Sequence, residues 1–266
     1  MSLDMFSRTP AVHVDTYAPA PATERGFGLH LTSHKKGNYL GYCHGRSVIL
    51  RNIDDPTQIK VFSEHKAKVN VARFNPHGGR VASGDDEGNL IIWEIRSSGE
   101  LYNWKSYEIN DSIKDIAWSD DGKRLAIAGK SGGNTHSKCI LVDSGNNVGE
   151  VGGHDNTVLA IDFRKHRPFR IVTASEDRTI RFHEGPPFKF QRSFTGHTNY
   201  VTCVRYSPDG ATLISTGNDI KMNLFDAKTG EPTGEIVQKK KTGHKGMNIY
   251  MLNNYKHKTK KSLFVL

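Results

Sequence analysis

Residues 64–94 read EHKAKVNVARFNPHGGRVASGDDEGNLIIWE, and the fold is decided by how this stretch divides. Three apolar runs, VNVARF (Val69 to Phe74), RVASG (Arg80 to Gly84) and NLIIWEI (Asn89 to Ile95), alternate or nearly alternate apolar with polar residues. That period of two is the signature of strands with one face more buried than the other. The first two runs are separated by NPHGG (Asn75 to Gly79), in which Pro fixes φ and Gly accepts the positive φ that closes a tight turn.

The stretch recurs along the chain. Nine residues after His65, His154 and His197 stand Phe74, Phe163 and Tyr206, and Trp118 occupies the equivalent place in between. The four aromatics are 44, 45 and 43 residues apart, and each ends a strand-like run: VNVARF, IKDIAW, VLAIDF or VTCVRY. The turns SDDG (Ser119 to Gly122) and SPDG (Ser207 to Gly210) follow two of them, and second strands follow in RLAIAG, RIVTAS and TLISTG. Four strands per unit at this period is the layout of a β-propeller blade. The fold class is therefore all-β, with four-stranded antiparallel blades. Gly37 to Ile53 supplies an incomplete first unit, giving about five blades. Residues 1–28 read as a leading strand and connector, 29–246 as an incomplete propeller, and 247–266 as a basic, disordered tail.

These units resemble the WD-repeat family, through Glu64-His65, Ser83, Asp86 and Trp93 in the second blade and Gly196-His197, Ser215, Asp219 and Phe225-Asp226 in the fifth. The resemblance implies a buried chain of His, Ser or Thr, turn Asp and Trp that pins the strands of a blade. Within it His65, His154 and His197 are structural. Such a network orders a small sheet, and a missing member leaves the others unpaired. His183 and Phe225 stand where two blades would carry the Trp.

A narrower resemblance rests on GRSVILRNIDDP (Gly45 to Pro56), ASGDDEGNLIIWE (Ala82 to Glu94), VDSGNNVGEVGGH (Val142 to His154) and above all EGPPFKF (Glu184 to Phe190). From about residue 18 to 246 the chain is similar to the amino-terminal propeller of the actin-interacting protein 1 family. That resemblance implies seven blades per propeller and binding to actin filaments decorated with cofilin-class proteins, with promotion of filament disassembly. It implies contacts at Glu176 beside Asp177, at Lys189 and Phe190, and at the aromatic Tyr200. The expected charged loop after the second strand of the third blade is replaced by GKSGGNTHSK (Gly129 to Lys138), without its acidic contact. The residues also admit plainer readings: Asp177 as a structural turn aspartate, and Phe188 and Phe190 as cover for a blade edge. The alternative function is a generic WD-repeat scaffold for protein assembly, or a fragment without function.

No histidine pair has metal-ligand spacing with a Cys or acid cluster around it, and no phosphate loop, G-x-S-x-G or placed Cys nucleophile appears. The expectation is no enzyme, no metal and no cofactor. The net charge of +9 invites a nucleic-acid reading. From Lys239 onward, however, the chain has eight Lys, no Arg and no acid, which leaves 29 basic and 28 acidic residues before it, a net of +1. Basicity confined to a tail argues against nucleic acid as a partner. Three Cys, far apart and in or beside apolar strands, suggest reduced thiols and a cytoplasmic location, and the actin-interacting resemblance implies the cytoskeleton. No run approaches the length of a membrane span, so no membrane partner is expected. After Gly243-His244 the period calls for an aromatic at 253, where Asn253 stands. A sixth blade is announced without being built, and the expectation is a truncated product.

Overall fold

The computed structural model describes residues 17–23, 29–34, 38–109, 111–130, 137–236, 249–251 and 263–265. Five four-stranded antiparallel sheets follow one another along the chain, each strand pairing with the next in sequence. Blade one comprises β1 (Leu31–Ser33), β2 (Tyr39–His44), β3 (Ser47–Asn52) and β4 (Ile59–Phe62); blade two comprises β5 (Val69–Phe74), β6 (Arg80–Asp85), β7 (Asn89–Ile95) and β8 (Leu101–Glu108). Blade three is β9 (Ile113–Trp118), β10 (Arg124–Gly129), β11 (Ser137–Leu141) and β12 (Asn147–Glu150). Blade four is β13 (Val158–Phe163), β14 (Arg170–Ser175), β15 (Ile180–Glu184) and β16 (Lys189–Phe194), and blade five is β17 (Val201–Tyr206), β18 (Thr212–Gly217), β19 (Met222–Asp226) and β20 (Pro232–Ile236).

The turns between first and second strands close as their residues require. In SDDG and SPDG the Gly122 and Gly210 amides donate to the carbonyls of Ser119 and Ser207. Both glycines take a φ of 65°, where a Cβ would be strained. Asp121 and Asp209 accept from the hydroxyls of Ser119 and Ser207, so each turn is fixed by its own side chains.

A sheet with two apolar faces must bury both, and here the facing sides of successive blades cover one another. Val48, Leu50 and Phe62 of blade one pack with Val81 and Trp93 of blade two. Leu90 and Ile92 pack with Ile116 and Leu125 across the next junction, and Ala126 and Cys139 with Val158, Ile171 and Phe188 across the third. Phe182 and Phe194 then meet Val204 and Phe225. The first strands of blades two to five lie side by side, β5 against β9, β9 against β13 and β13 against β17. They form the inner wall of the arc.

Residues 17–23 of the leading segment carry no strand; they run along blade one, where Tyr42 Oη donates to the Pro19 carbonyl. In the tail, β21 (Ile249–Met251) and β22 (Leu263–Val265) pair antiparallel, and β21 lies against β17. These six residues depart from the expectation of disorder. Gly243, His244 and Asn253, on which the reading of an unbuilt blade rests, fall outside the described residues, as does most of the Gly129–Lys138 loop.

Candidate functional site

Blade two builds a complete hydrogen-bond relay inside the sheet. Trp93 Nε1 donates to Ser83 Oγ at 3.1 Å, the same hydroxyl lies 2.7 Å from His65 Nε2, and His65 Nδ1 lies 2.9 Å from Asp85 Oδ2. Blade four repeats its hydroxyl, His and Asp members with Thr173, His154 and Asp177, and blade five with Ser215, His197 and Asp219, both without the Trp donor. All three histidines are buried. A neutral imidazole satisfies each relay by donating from Nδ1 to the acid and accepting at Nε2. Burial and the Asp85 contact oppose each other at His65, and burial prevails, holding its pKa below the ordinary value. Asp85 is pushed up by burial but pulled down further by its donors His65 and Asn89, so it stays charged.

The acid of blade two is Asp85, which corrects the assignment to Asp86. Side chains alternate along a strand, so the residue two beyond Ser83 shares its inward face and the next one points away. Asp86 instead crosses to blade three, accepting from Ser112 Oγ at 2.7 Å and Lys114 Nζ at 3.0 Å. In blades four and five the acid comes four residues after the hydroxyl, from the turn. For the same reason Asp177 is not a free contact residue: its carboxylate is held by His154 and Thr179 and only 9% exposed.

Ser83→Ala tests the relay. It strands the Trp93 N–H and the His65 Nε2 together and is expected to lower stability by about 2–4 kcal/mol. Ser215→Ala is expected to matter less, because Phe225 has no donor to lose and Asn223 Nδ2 already lies 3.2 Å from His197 Nε2. Urea unfolding of the two variants ranks them.

The rim of blade four presents what the relay leaves over. Glu176 occupies the slot of Asp86 and Asn218, and in each case the backbone amide bonds across the blade mouth, to the carbonyls of Thr157, Lys68 and Tyr200 respectively. In blade two that slot is filled by Lys114, the second residue of β9. In β17 the corresponding residue is Thr202, which bonds within its own blade to Thr216. Glu176 is half-buried and has no ion pair among the described residues. Tyr200 stands at the same end of the neighbouring blade and is 44% exposed.

Phe190 and Lys189 lie at the other end. Register places Ile180 opposite Phe194, and Glu184 opposite Lys189. The six residues of β16 at about 3.3 Å each therefore put roughly 17–20 Å between the two ends. Within EGPPFKF the two phenylalanines divide: Phe188 is buried against Phe163, ring centres 5.6 Å apart, while Phe190 is 51% exposed with the Arg181 guanidinium 5.5 Å from its ring. Glu176 and Tyr200 thus lie at one end and Phe190 and Lys189 at the other, as two separate groups. Lys189 borders a shallow cleft of about 660 Å³ shared with Arg124, Arg167, Phe169 and Pro187.

One charged centre went unread in the sequence. Asp115 on β9 is fully buried and accepts from Arg73 Nη2 at 3.0 Å, Arg205 Nη2 at 2.7 Å and the Ile161 amide at 3.1 Å. Arg73 also donates to His30 Nδ1 and to the Leu31 carbonyl. Blades two to five meet at this one carboxylate, with blade one tied in through Arg73, and its arginines hold it charged against the pull of burial. The signal was present: Asp115 fills the third position of the inner strand, where the other units have Val71, Ala160 and Cys203.

Residues 56–94, 145–184 and 188–226 match the family model described as WD domain, G-beta repeat. Each match begins just before the outer strand of one sheet and ends on the third strand of the next, so the sequence repeat straddles two blades. Over 236 residues, 89% of the chain, it is 41% identical to Actin-interacting protein 1 of Drosophila melanogaster and 40% identical to Actin-interacting protein 1-2 of Arabidopsis thaliana. It is also 41% identical over 220 residues, 83% of the chain, to WD repeat-containing protein 1 of Xenopus tropicalis. The chain belongs to the actin-interacting protein 1 family of WD-repeat proteins. The match covers 36–38% of each of these relatives. Within the family's repeat pattern the third unit is irregular, with Ile109 nine residues before Trp118 where other units carry His. Ile109 packs into the apolar junction between blades two and three, replacing a polar relay by burial.

Proposed function

We infer that this chain binds actin filaments in cooperation with cofilin-class proteins and promotes filament disassembly by binding alone, without covalent chemistry, at the cytoplasmic actin cytoskeleton. The observation that carries the reading is the relation, over 83–89% of the chain, to proteins named for actin interaction or as their WD-repeat counterparts. The two groups on blade four give it chemistry. Glu176 is a rim carboxylate without an ion pair among the described residues, at the same end as the exposed Tyr200, and Phe190 with Lys189 offers an aromatic anchor and a cation at the opposite end. Aromatic anchors flanked by charge are what concentrates binding energy at interfaces. Their separation suits a partner surface that spans the blade, as at the junction of two bound proteins.

The test is co-sedimentation of the chain with actin filaments, with and without cofilin. The wild-type chain is expected to pellet more with cofilin present. Glu176→Gln and Phe190→Ala, each keeping a wild-type melting temperature, are each expected to weaken pelleting about tenfold or more, the loss of an anchor worth 1.4 kcal/mol or above. Wild-type protein that remains in the supernatant under both conditions refutes the reading. Unchanged pelleting of both variants would move the contact elsewhere on the propeller.

A further inference from the structure

We propose that Ile220, with Tyr200, is an apolar anchor of the same actin-binding surface, placed on the rim of blade five at the same end as Glu176 of blade four; the proposal rests on the actin reading. The turn joining β18 to β19 explains why the residue is unusual. The Ile220 amide donates to the Gly217 carbonyl and the Gly217 amide to the Lys221 carbonyl, so the hairpin is a tight turn followed by one residue in the left-handed region, a position that favours glycine. Blade two fills the equivalent position with Gly88 at φ 84°, whereas blade five fills it with Ile220 at φ 65°. A β-branched side chain is among the worst suited to that conformation.

Full burial would explain such a choice, and burial here is only partial. Ile220 is 46% exposed, which leaves nearly half of its surface open. Its turn is tied to Tyr200, whose carbonyl accepts from the Asn218 amide at 2.9 Å, and Tyr200 is itself 44% exposed. Two large apolar side chains thus stand on adjoining loops of one blade, one of them held in a strained backbone. Strain kept at an exposed site marks a position retained for what it touches. The blade-four counterpart, Arg178 at φ 70°, is likewise exposed, and with Glu176 it gives the apolar pair a charged border. Apolar centre and charged rim is the anatomy of a protein interface.

Ile220→Gly and Ile220→Asn separate the two roles, since both residues accept a positive φ. If Ile220 is an anchor, Ile220→Gly melts at an equal or higher temperature, by up to about 2–4 °C, while pelleting with cofilin-decorated actin filaments weakens about tenfold or more; Ile220→Asn behaves alike. Opposite signs in stability and binding are the expected result. Variants that pellet as the wild type does, while wild type pellets, overturn the anchor and leave the actin reading standing. Wild-type chain that fails to pellet overturns both. A melting temperature that falls by several degrees for both variants shows Ile220 to be a packing residue and also overturns the proposal.

Discussion

Asp115→Ala is expected to lower stability by about 3–5 kcal/mol, because it leaves the guanidinium groups of Arg73 and Arg205 buried without their shared carboxylate. Their side chains are only 17% and 11% exposed. Typical domains have about 5–15 kcal/mol in total, so the variant is expected to be largely unfolded in mild urea where the wild type is folded. Asp115→Asn keeps the shape but only part of the hydrogen bonding and should fall between them. Arg205→Lys should also be costly, since Arg205 serves the Asp115 carboxylate and the carbonyls of Ile161 and Val204 at once, a fork that an ammonium cannot reproduce. The combined change Arg73→Met, Asp115→Leu, Arg205→Met should restore much of the loss, because removing every charge removes the unpaired one. Urea midpoints decide: a single Asp115→Ala as stable as wild type would show that the carboxylate is not needed there.

Acidification gives the second large effect. His183 is fully buried with Nε2 toward the Gly152 carbonyl and no partner at Nδ1 among the described residues, and burial holds its pKa at about 4 against an ordinary 6.5. His30, pressed against Arg73 and the inner wall, is held at about 3, with burial the main cause. Both are neutral when folded and bind a proton when unfolded anywhere between these values and 6.5. The unfolded state therefore takes up more protons across that window, so stability is full above pH 6.5 and falls as pH drops toward 4. At about 1.4 kcal/mol per pH unit for one group, His183 alone should remove roughly 2 kcal/mol between pH 6.5 and pH 5. Asp85 and Asp219, whose pKa values are lowered by their donors despite burial, add a loss in the same direction below about pH 4. His183→Phe, which copies Phe225 in the equivalent place of blade five, should flatten the slope between pH 6.5 and 5. An unchanged slope in urea titrations would assign the acid sensitivity elsewhere.

What the sequence made legible follows from which interactions repeat. The propeller and its period were readable because alternation and aromatic ends recur in four units and glycine turns in three of them. The acid of the relay was readable at Asp219, which stands alone in its turn, while Asp177, beside Glu176, was open to both a contact and a structural reading. It was misread at Asp85-Asp86, where two neighbouring acids satisfy the same pattern and only the alternation of the strand, counted from Ser83, separates them. Asp115 was missed because its partners come from three other units, and no single repeat contains the cluster. The contact residues were legible as names, but their division into two groups needed the register of β14, β15 and β16. Ile220 was invisible for a further reason: a φ angle is a property of the turn, and nothing in GNDIK (Gly217 to Lys221) announces that its isoleucine must bend the wrong way.

Arrays of similar units ordinarily couple each unit only to the next, and so can lose their ends while the middle survives. The Asp115 carboxylate breaks that rule, since Arg205 reaches it from two blades away and Arg73 and the Ile161 amide reach it from either side. Fraying blade five would withdraw a cation from the heart of blade three. The arc therefore cannot come apart one leaf at a time without disturbing its hub, and a rim that is gripped and pulled at blade four or five is mechanically continuous with the far side of the sheet array.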